Sequence, residues 1–535
     1  MHARKATLYV ILFFALLTAI GLLSAPDYGL PCDEPAEQVI LQENLKEYAL
    51  VLLCEESEAV RYYNDLGIVR ISESIERDHG QSAYYPAAPL LLLQAQAPAL
   101  AMTLWHGYTW LWFMVGVISL YGLLRGLGAS RLVACAGALL LYLSPRFFAE
   151  GHYNNKDVVL LSLTLLTLVT GWRLMAKVTW QRALVFSLAG ALATNTKIVG
   201  IFVWGLIGLS LVFQLIVRKA FTPRVWFAGG IAILSFLLFY WLLTPAAWVD
   251  PASYLQYLIE NATGFSRWTG VVLFQGVLFN PTRGFPLPRS YLPLMILYTV
   301  SPITILLAAA GQIYAAIRIL KRDSRTPMLL VLTMLWLVPM AYVIIARPLM
   351  YNGWRHFYFL FAGIAAMAGL GLAMIAERLQ NHGVLKRIAA FMMAAVFLLQ
   401  GFGIYRNHPY QYAYYNQIAP YAQVDFELDY WLVSTVNAMR RLILDEDSTD
   451  SSPLILGASD PMSYLSLQNS VKVLTPQEQS RLITTSDADA PYLLYNTTYA
   501  AIYDVAVPEG YTTLFHLESY GTTIVTIYRR AASAL

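Results

Sequence analysis

Charge is scarce in this chain of 535 residues. Asp, Glu, Lys and Arg together make up 13% of it, about half the share found in an ordinary soluble domain. That scarcity excludes a purely soluble enzyme and a disordered chain. Neither sign dominates: 36 Lys and Arg face 33 acids, for a net charge of +3. Such a balance is too small and too dispersed for nucleic-acid binding. Cysteine is rarer still. Three residues are too few for a disulfide scaffold or a cysteine-rich metal site. No internal repeat of fixed period and no low-complexity tract stands out. What fills the chain is apolar. Hydrophobic residues reach 58% and aromatics 13%, with 13 Trp and 35 Tyr, the two types that collect at membrane interfaces.

Apolar runs predict eleven membrane spans, near residues 7–24, 108–124, 132–148, 158–172, 183–195, 198–217, 225–244, 292–317, 327–346, 357–376 and 388–405. A span needs about 20 apolar residues, so several only just qualify. The first run follows Met1-His2-Ala3-Arg4-Lys5 and reads as an uncleaved helix rather than a signal peptide, because many spans come after it. The stretch around 87–104 carries Pro86, Pro89 and Pro98 with two glutamines. It reads as interfacial or re-entrant.

Lys and Arg alternate along the connecting loops. Arg4 and Lys5, Arg125 and Arg131, Arg173, Lys177 and Arg182, and the 318–325 cluster fall on one side. The other side carries fewer, among them Arg146, Lys156, Lys197, Arg267, Arg283, Arg347 and Arg355. The positive-inside rule then predicts a cytoplasmic N-terminus and an extracytoplasmic C-terminus. The expected organisation is a transmembrane domain over 1–405, with a first outer loop at about 25–107 and a second outer region at about 245–291. From 406 to 535 the composition shifts to Asp, Ser, Thr and Tyr, which predicts a small extracytoplasmic α/β domain. Its expected elements are a helix near 425–444, strands at 453–457, 470–474 and 491–495, and a closing hairpin around 511–528. The fold class is therefore mainly α and polytopic, with a small α/β tail.

Ionisable groups near hydrocarbon are expensive and usually functional. Four clusters lie where predicted spans meet the outer side. Asp33 and Glu34 sit side by side in Pro31-Cys32-Asp33-Glu34-Pro35. They read as a reacting carboxylate pair, as the N-cap of an amphipathic helix with Pro in its first turn, or as both at once, since a cap position holds a carboxylate rigidly. Residues 144–157 pack Arg146, Glu150, His152, Asn154, Asn155, Lys156 and Asp157 into one expected turn, more polar groups than a solvated turn needs. Thr194-Asn195-Thr196-Lys197 interrupts an apolar stretch. Lys197 either snorkels to the surface or binds a phosphate as a point charge. Arg355 and His356 enter the tenth predicted span, as interface anchors or as a planar fork for phosphate oxygens.

With these residues the chain resembles the membrane glycosyltransferases of the C-superfamily, and among them the protein O-mannosyltransferase-like branch that includes the bacterial lipid A aminoarabinose transferase. The matching pieces are Asp33-Glu34, PRFFAEGHYNNKD at 145–157, GALATNTKIVG at 190–200, GWRHFYFLFAG at 353–363 and HPYQYAYYN at 408–416. The resemblance covers nearly all of residues 1–420. It implies a polyprenyl- or dolichyl-phosphate sugar as donor. It implies a catalytic acid of the first loop at Asp33, with Glu34 as the alternative, and a second acid at Asp157. It implies that Lys197, Arg355 or Lys156 holds the lipid phosphate, with His356 beside them. No lumenal repeat domain of the protein-modifying members is visible, which puts a protein acceptor in doubt.

Displacing a phosphate from an anomeric carbon in one step inverts that centre. A carboxylate removes the acceptor proton, and Arg and Lys stabilise the leaving phosphate. No cofactor is assigned. A divalent cation bridging acid and phosphate is compatible with this chemistry, but no ligand cluster of clear spacing demands one. The partners expected are the lipid-linked donor, an acceptor that is a lipid, glycan or protein, and the membrane itself. The location expected is the bacterial inner membrane. The alternative is a transporter or flippase of a lipid-linked or small polar substrate, which intramembrane charge would also suit. A transporter, however, usually shows inverted halves and broken helices at the midplane. Cys32 and Cys54 share the first outer loop and would either bridge in an oxidising compartment or remain thiols.

Overall fold

The computed structural model describes residues 2–264, 268–419, 423–446 and 452–531. The apolar runs fold as helices because a backbone in hydrocarbon must satisfy its own hydrogen bonds. Nine described helices are long and apolar enough to span a membrane, and ten if the bent pair Arg131–Tyr142 and Pro145–Tyr153 is one span. Trp180–Thr196, at 17 residues, falls just short in length and is the eleventh expected. The chain is an integral membrane protein by these helices. Arg267, counted above among the outer cations, lies outside the described residues.

Three sequence expectations need correction. The run 292–317 is not one helix. It breaks between Tyr291–Thr299 and Pro302–Leu320, where Pro302 can start a helix but not continue one. The expected span 108–124 starts ten residues earlier, as the 29-residue helix Pro98–Gly126 takes in the end of the stretch 87–104 after the short helix Pro89–Gln94; Pro98 sits at that helix's first turn. The expected turn at 144–157 is itself mostly helix, Pro145–Tyr153, bent 71° from the preceding one. Its polar residues are folded inward rather than solvated.

Helix Asp157–Ala176 lies at the centre of the bundle, with nearly every residue buried. Helix Pro98–Gly126 crosses it closely. A Cβ on Gly116 would come 2.6 Å from Ser162 Oγ and 2.9 Å from its Cα, so only glycine fits there. Small residues at membrane helix contacts serve this close packing. Helices Gly200–Val217, Pro223–Leu243 and Gly383–Arg406 lie at the periphery, with exposed Leu209, Phe227 and Leu398 turned to the surroundings.

The tail builds a five-stranded sheet in the order Leu482–Thr484, Leu454–Ala458, Tyr492–Asn496, Thr522–Arg530, Tyr511–Ser519. The first three strands are parallel and the last two pair antiparallel. Strands at 454–458 and 492–496 and the hairpin match the expectation. Two expectations fail. Val471–Val473 is a 3-10 turn, not a strand, and the helix spans Thr435–Asp445 rather than starting after Asp425. Residues 426–433 are instead irregular and buried against the membrane domain. Phe426 pairs with Phe274 in an isolated bridge, extending the small hairpin Val272–Phe274 and Val277–Phe279.

Cys32, Cys54 and Cys135 are all free thiols. The 19-residue helix Glu34–Leu52 separates Cys32 from Cys54. At 1.5 Å per residue that is about 28 Å, far beyond the roughly 7 Å reach of a disulfide.

Candidate functional site

A cavity of about 660 Å³ opens at the end of the bundle that carries the tail. Its wall includes Asp33, Glu37, Lys156, Asp157, Lys197, Arg355, His356 and Trp431. Local structure explains how each arrives. Asp33 occupies the N-cap position of Glu34–Leu52 but makes no capping bond. Its Oδ2 accepts instead from Arg355 Nη1 at 2.8 Å. The capping alternative is thus set aside by the geometry. Asp157 begins its helix, and Asn154 Oδ1 caps that end by accepting from the backbone N–H of Asp157 at 2.8 Å and of Lys156 at 3.3 Å. An acid in the first turn also suits the helix dipole. Lys197 follows the last residue of Trp180–Thr196 and its ammonium pairs with Asp157 Oδ1.

Arg355 opens the 3-10 turn Arg355–Phe357 after Gly353. Gly353 has a φ of +64°, and a Cβ there would meet the Tyr412 hydroxyl at 3.1 Å. Arg355 is 9% exposed. Its Nη2 donates to the Tyr430 hydroxyl at 2.7 Å, and its carbon lies 4.7 to 5.3 Å from the rings of Tyr430, Trp431 and Tyr351. Arg355 is therefore seated by aromatic faces and by one carboxylate.

The structure brings Asp33, Asp157, Lys156, Lys197, Arg355 and His356 to one cavity. It does not bring Glu34 there. Glu34 is buried on the opposite side of its helix, accepting from Gln38 Nε2 at 3.1 Å and lying 3.0 Å from His106 Nε2. Burial and the cations of Lys197 and Arg355 push the His356 imidazole well below its usual range, so it is neutral near pH 7 and offers a hydrogen bond rather than charge. Burial also lowers the Lys197 ammonium, opposed by Asp157. Two donors in residues of the cavity wall, Asn155 Nδ2 and Arg355 Nε, have no partner among the described residues. Buried donors without partners are uncommon and call for an explanation; a polar ligand at this place supplies one.

Sequence reasoning missed several site residues. Glu37 lines the cavity, accepting from Lys156 Nζ at 2.9 Å and Gln81 Nε2 at 2.5 Å. Its signal was present, since Asp33 and Glu37 are one helical turn apart and share a face. Glu427 accepts from Asn352 Nδ2 at 2.5 Å and from the backbone N–H of Gly353 at 3.1 Å and Leu273 at 3.1 Å. It thereby anchors the loop that presents Arg355. Burial pushes the carboxyls of Glu427 and Asp429 up to about 7 each; the three donors to Glu427 pull it the other way, and Ser434, Val433 and Asn496 do so for Asp429. Among the described residues, Glu76, Asp78 and His79 bring metal-ligand atoms within 4.8 Å of one another, and Asp78 and His79 reach the cavity wall. Asp33 and Asp157 do not belong to that group.

No family model matches the chain, and no curated protein matches its sequence. Solved structures are similar to it over nearly its whole length. ArnT from Cupriavidus metallidurans in the apo state is 13% identical, with 99% of each chain covered and a TM-score of 0.49. The same protein bound to undecaprenyl phosphate is 14% identical, with 97% of this chain and 98% of that chain covered and a TM-score of 0.48. The Archaeoglobus fulgidus oligosaccharyltransferase in the apo form is 12% identical, with 85% of this chain and 67% of that chain covered and a TM-score of 0.42.

Proposed function

We propose that this chain is a glycosyltransferase that moves a sugar from a polyprenyl-phosphate carrier to an acceptor on the extracytoplasmic face of a bacterial inner membrane. The observation that carries the reading is one cavity in which a carboxylate on Asp33 touches the Arg355 fork while Lys197 and Asp157 stand across from them. The sequence resemblance to C-superfamily membrane glycosyltransferases supports it. The N-terminus is cytoplasmic in this reading. The membrane domain, 1–405, and the tail, 406–535, enclose the site together.

In this mechanism the donor phosphate docks against Arg355 and Lys197, with Lys156 and the neutral His356 beside it. Docking draws Arg355 away from Asp33. The freed carboxylate then takes the proton of the acceptor hydroxyl as that oxygen attacks the anomeric carbon. The bond from anomeric carbon to phosphate oxygen breaks, and the cations stabilise the charge left on the carrier phosphate. A single displacement inverts the sugar. Asp157 holds Lys197 in place. The test is release of sugar by the purified protein in lipid from radiolabelled polyprenyl-phosphate sugars, with the anomeric configuration of the product read by NMR. Retention of configuration would sink the single displacement. Transport of an intact lipid-linked sugar without release would favour a flippase.

A further inference from the structure

Glu150 lies within the short helix Pro145–Tyr153 and is fully buried. Its carboxylate accepts three hydrogen bonds. Oε1 accepts from Asn154 Nδ2 at 3.0 Å and from the Trp431 indole N–H at 3.1 Å. Oε2 accepts from the Tyr358 hydroxyl at 2.6 Å. Two of the donors, Asn154 and Trp431, line the cavity; the third, Tyr358, stands behind it. Asn154 caps the helix that begins with Asp157, the partner of Lys197. Trp431 belongs to the tail and lays its ring 4.9 Å from the guanidinium carbon of Arg355, the partner of Asp33. Tyr358 directly follows the turn Arg355–Phe357. A buried carboxylate is costly unless its lone pairs are met. Here they are met by donors from three separate segments, so those segments cannot shift independently without leaving it unmet.

We propose that Glu150 is the positioning residue of this site: one carboxylate that holds the Asp33–Arg355 pair, through Trp431, and the Asp157–Lys197 pair, through Asn154, at a fixed separation. It does not line the cavity and touches no reacting atom. The tail thereby becomes part of the catalytic assembly, because Trp431 is one of the three donors. This inference deepens the transferase reading and rests on it for its activity readout, while carrier binding provides a readout independent of transfer.

The test uses the full chain, purified and returned to lipid, with two measurements: kcat and KM for sugar release, and binding of the polyprenyl phosphate alone. Glu150→Ala should lower kcat and weaken carrier binding, each by about ten-fold or more, because it leaves the buried Trp431 and Tyr358 donors unmet and Asn154 Nδ2 with only Asp157 Oδ2 at 3.4 Å. Glu150→Gln should stay within about three-fold of wild type, since the amide oxygen still accepts from Trp431 and Asn154 and the amide nitrogen donates to the Tyr358 oxygen. Trp431→Phe should act mainly on kcat and Asn154→Ala mainly on KM. Trp431→Phe should add little to Glu150→Ala, as expected of residues acting through one contact. The proposal is overturned if Glu150→Ala matches wild type in both measurements. It is also overturned if Glu150→Gln falls as far as Glu150→Ala, since the charge itself would then act, or if the Trp431 and Glu150 losses multiply. Should Glu150→Ala fail to insert, the split between Trp431→Phe and Asn154→Ala decides, and its absence overturns the proposal. A wild type that binds the carrier but releases no sugar sinks the transferase reading alone, leaving the binding comparison to judge Glu150. A wild type that does neither overturns both.

Discussion

Replacing Asp33 with asparagine separates chemistry from folding in this site. The Asp33 side chain is 41% exposed and that of Arg355 10%. An ion pair with one arm in solvent contributes about 0–1 kcal/mol to folding. Asn keeps the size of Asp, and its Oδ1 still accepts from the Arg355 Nη1. The variant should therefore insert and fold as wild type. Its turnover should nevertheless fall by about 100-fold or more, the lower range for loss of a general base, equivalent to about 2.7 kcal/mol of barrier. A second effect runs the other way. The neutral side chain no longer competes with a phosphate for Arg355, so the carrier phosphate should bind more tightly, by about three- to ten-fold if the competing charge was fully engaged. The assay is release from a radiolabelled polyprenyl-phosphate sugar in proteoliposomes, alongside carrier binding by the same preparation. Turnover within about three-fold of wild type would refute the assignment of Asp33 as base. A dead Glu34→Gln beside an active Asp33→Asn would move the role by one residue, against the placement of Glu34 away from the cavity. Full activity in both would end the mechanism.

Lys197→Met should weaken carrier binding by about ten- to a hundred-fold, the value of a hydrogen bond to a charged group, measured by the same binding assay. Glu427 has its carboxyl raised by burial from 4.5 to about 7. Its contribution to stability is thus fully present below about pH 4.5 and lost as pH rises through about 7. Glu427→Gln should flatten the apparent Tm between those pH values relative to wild type; an unchanged slope would remove Glu427 as the source. A reporter active only in the cytoplasm, fused after residue 419, should be silent, and activity there would reverse the orientation. Cys54 is exposed and unbridged, so a polar thiol reagent should label it in the folded protein and reduction should leave the electrophoretic mobility unchanged.

Much of the molecule was legible from residue order alone. A run of apolar residues long enough to cross a bilayer has few other folds open to it, so the helices of the membrane domain appear close to where hydropathy placed them. Asp33, Lys156, Asp157, Lys197, Arg355 and His356 stood out for a related reason: a charge beside hydrocarbon is costly and rarely idle. The tail strands at 454–458, 492–496 and the hairpin followed from alternation and turn residues.

Other features depended on partners far away in sequence. Phe426-Glu427-Leu428-Asp429-Tyr430-Trp431 reads as part of a helix by local propensity. Yet it is held irregular by the bridge to Phe274 and by Glu427 accepting from Leu273, Asn352 and Gly353, contacts that exist only once hairpin, loop and tail have met. The choice between Asp33 and Glu34 likewise turned on the rotation of one helix, which aims Asp33 at Arg355, 322 positions away, and Glu34 at His106. Residue order determined which groups were too polar for their surroundings. Only the packed bundle decided which of them face one another, because hydropathy constrains how deep a residue lies and not the direction in which its side chain points.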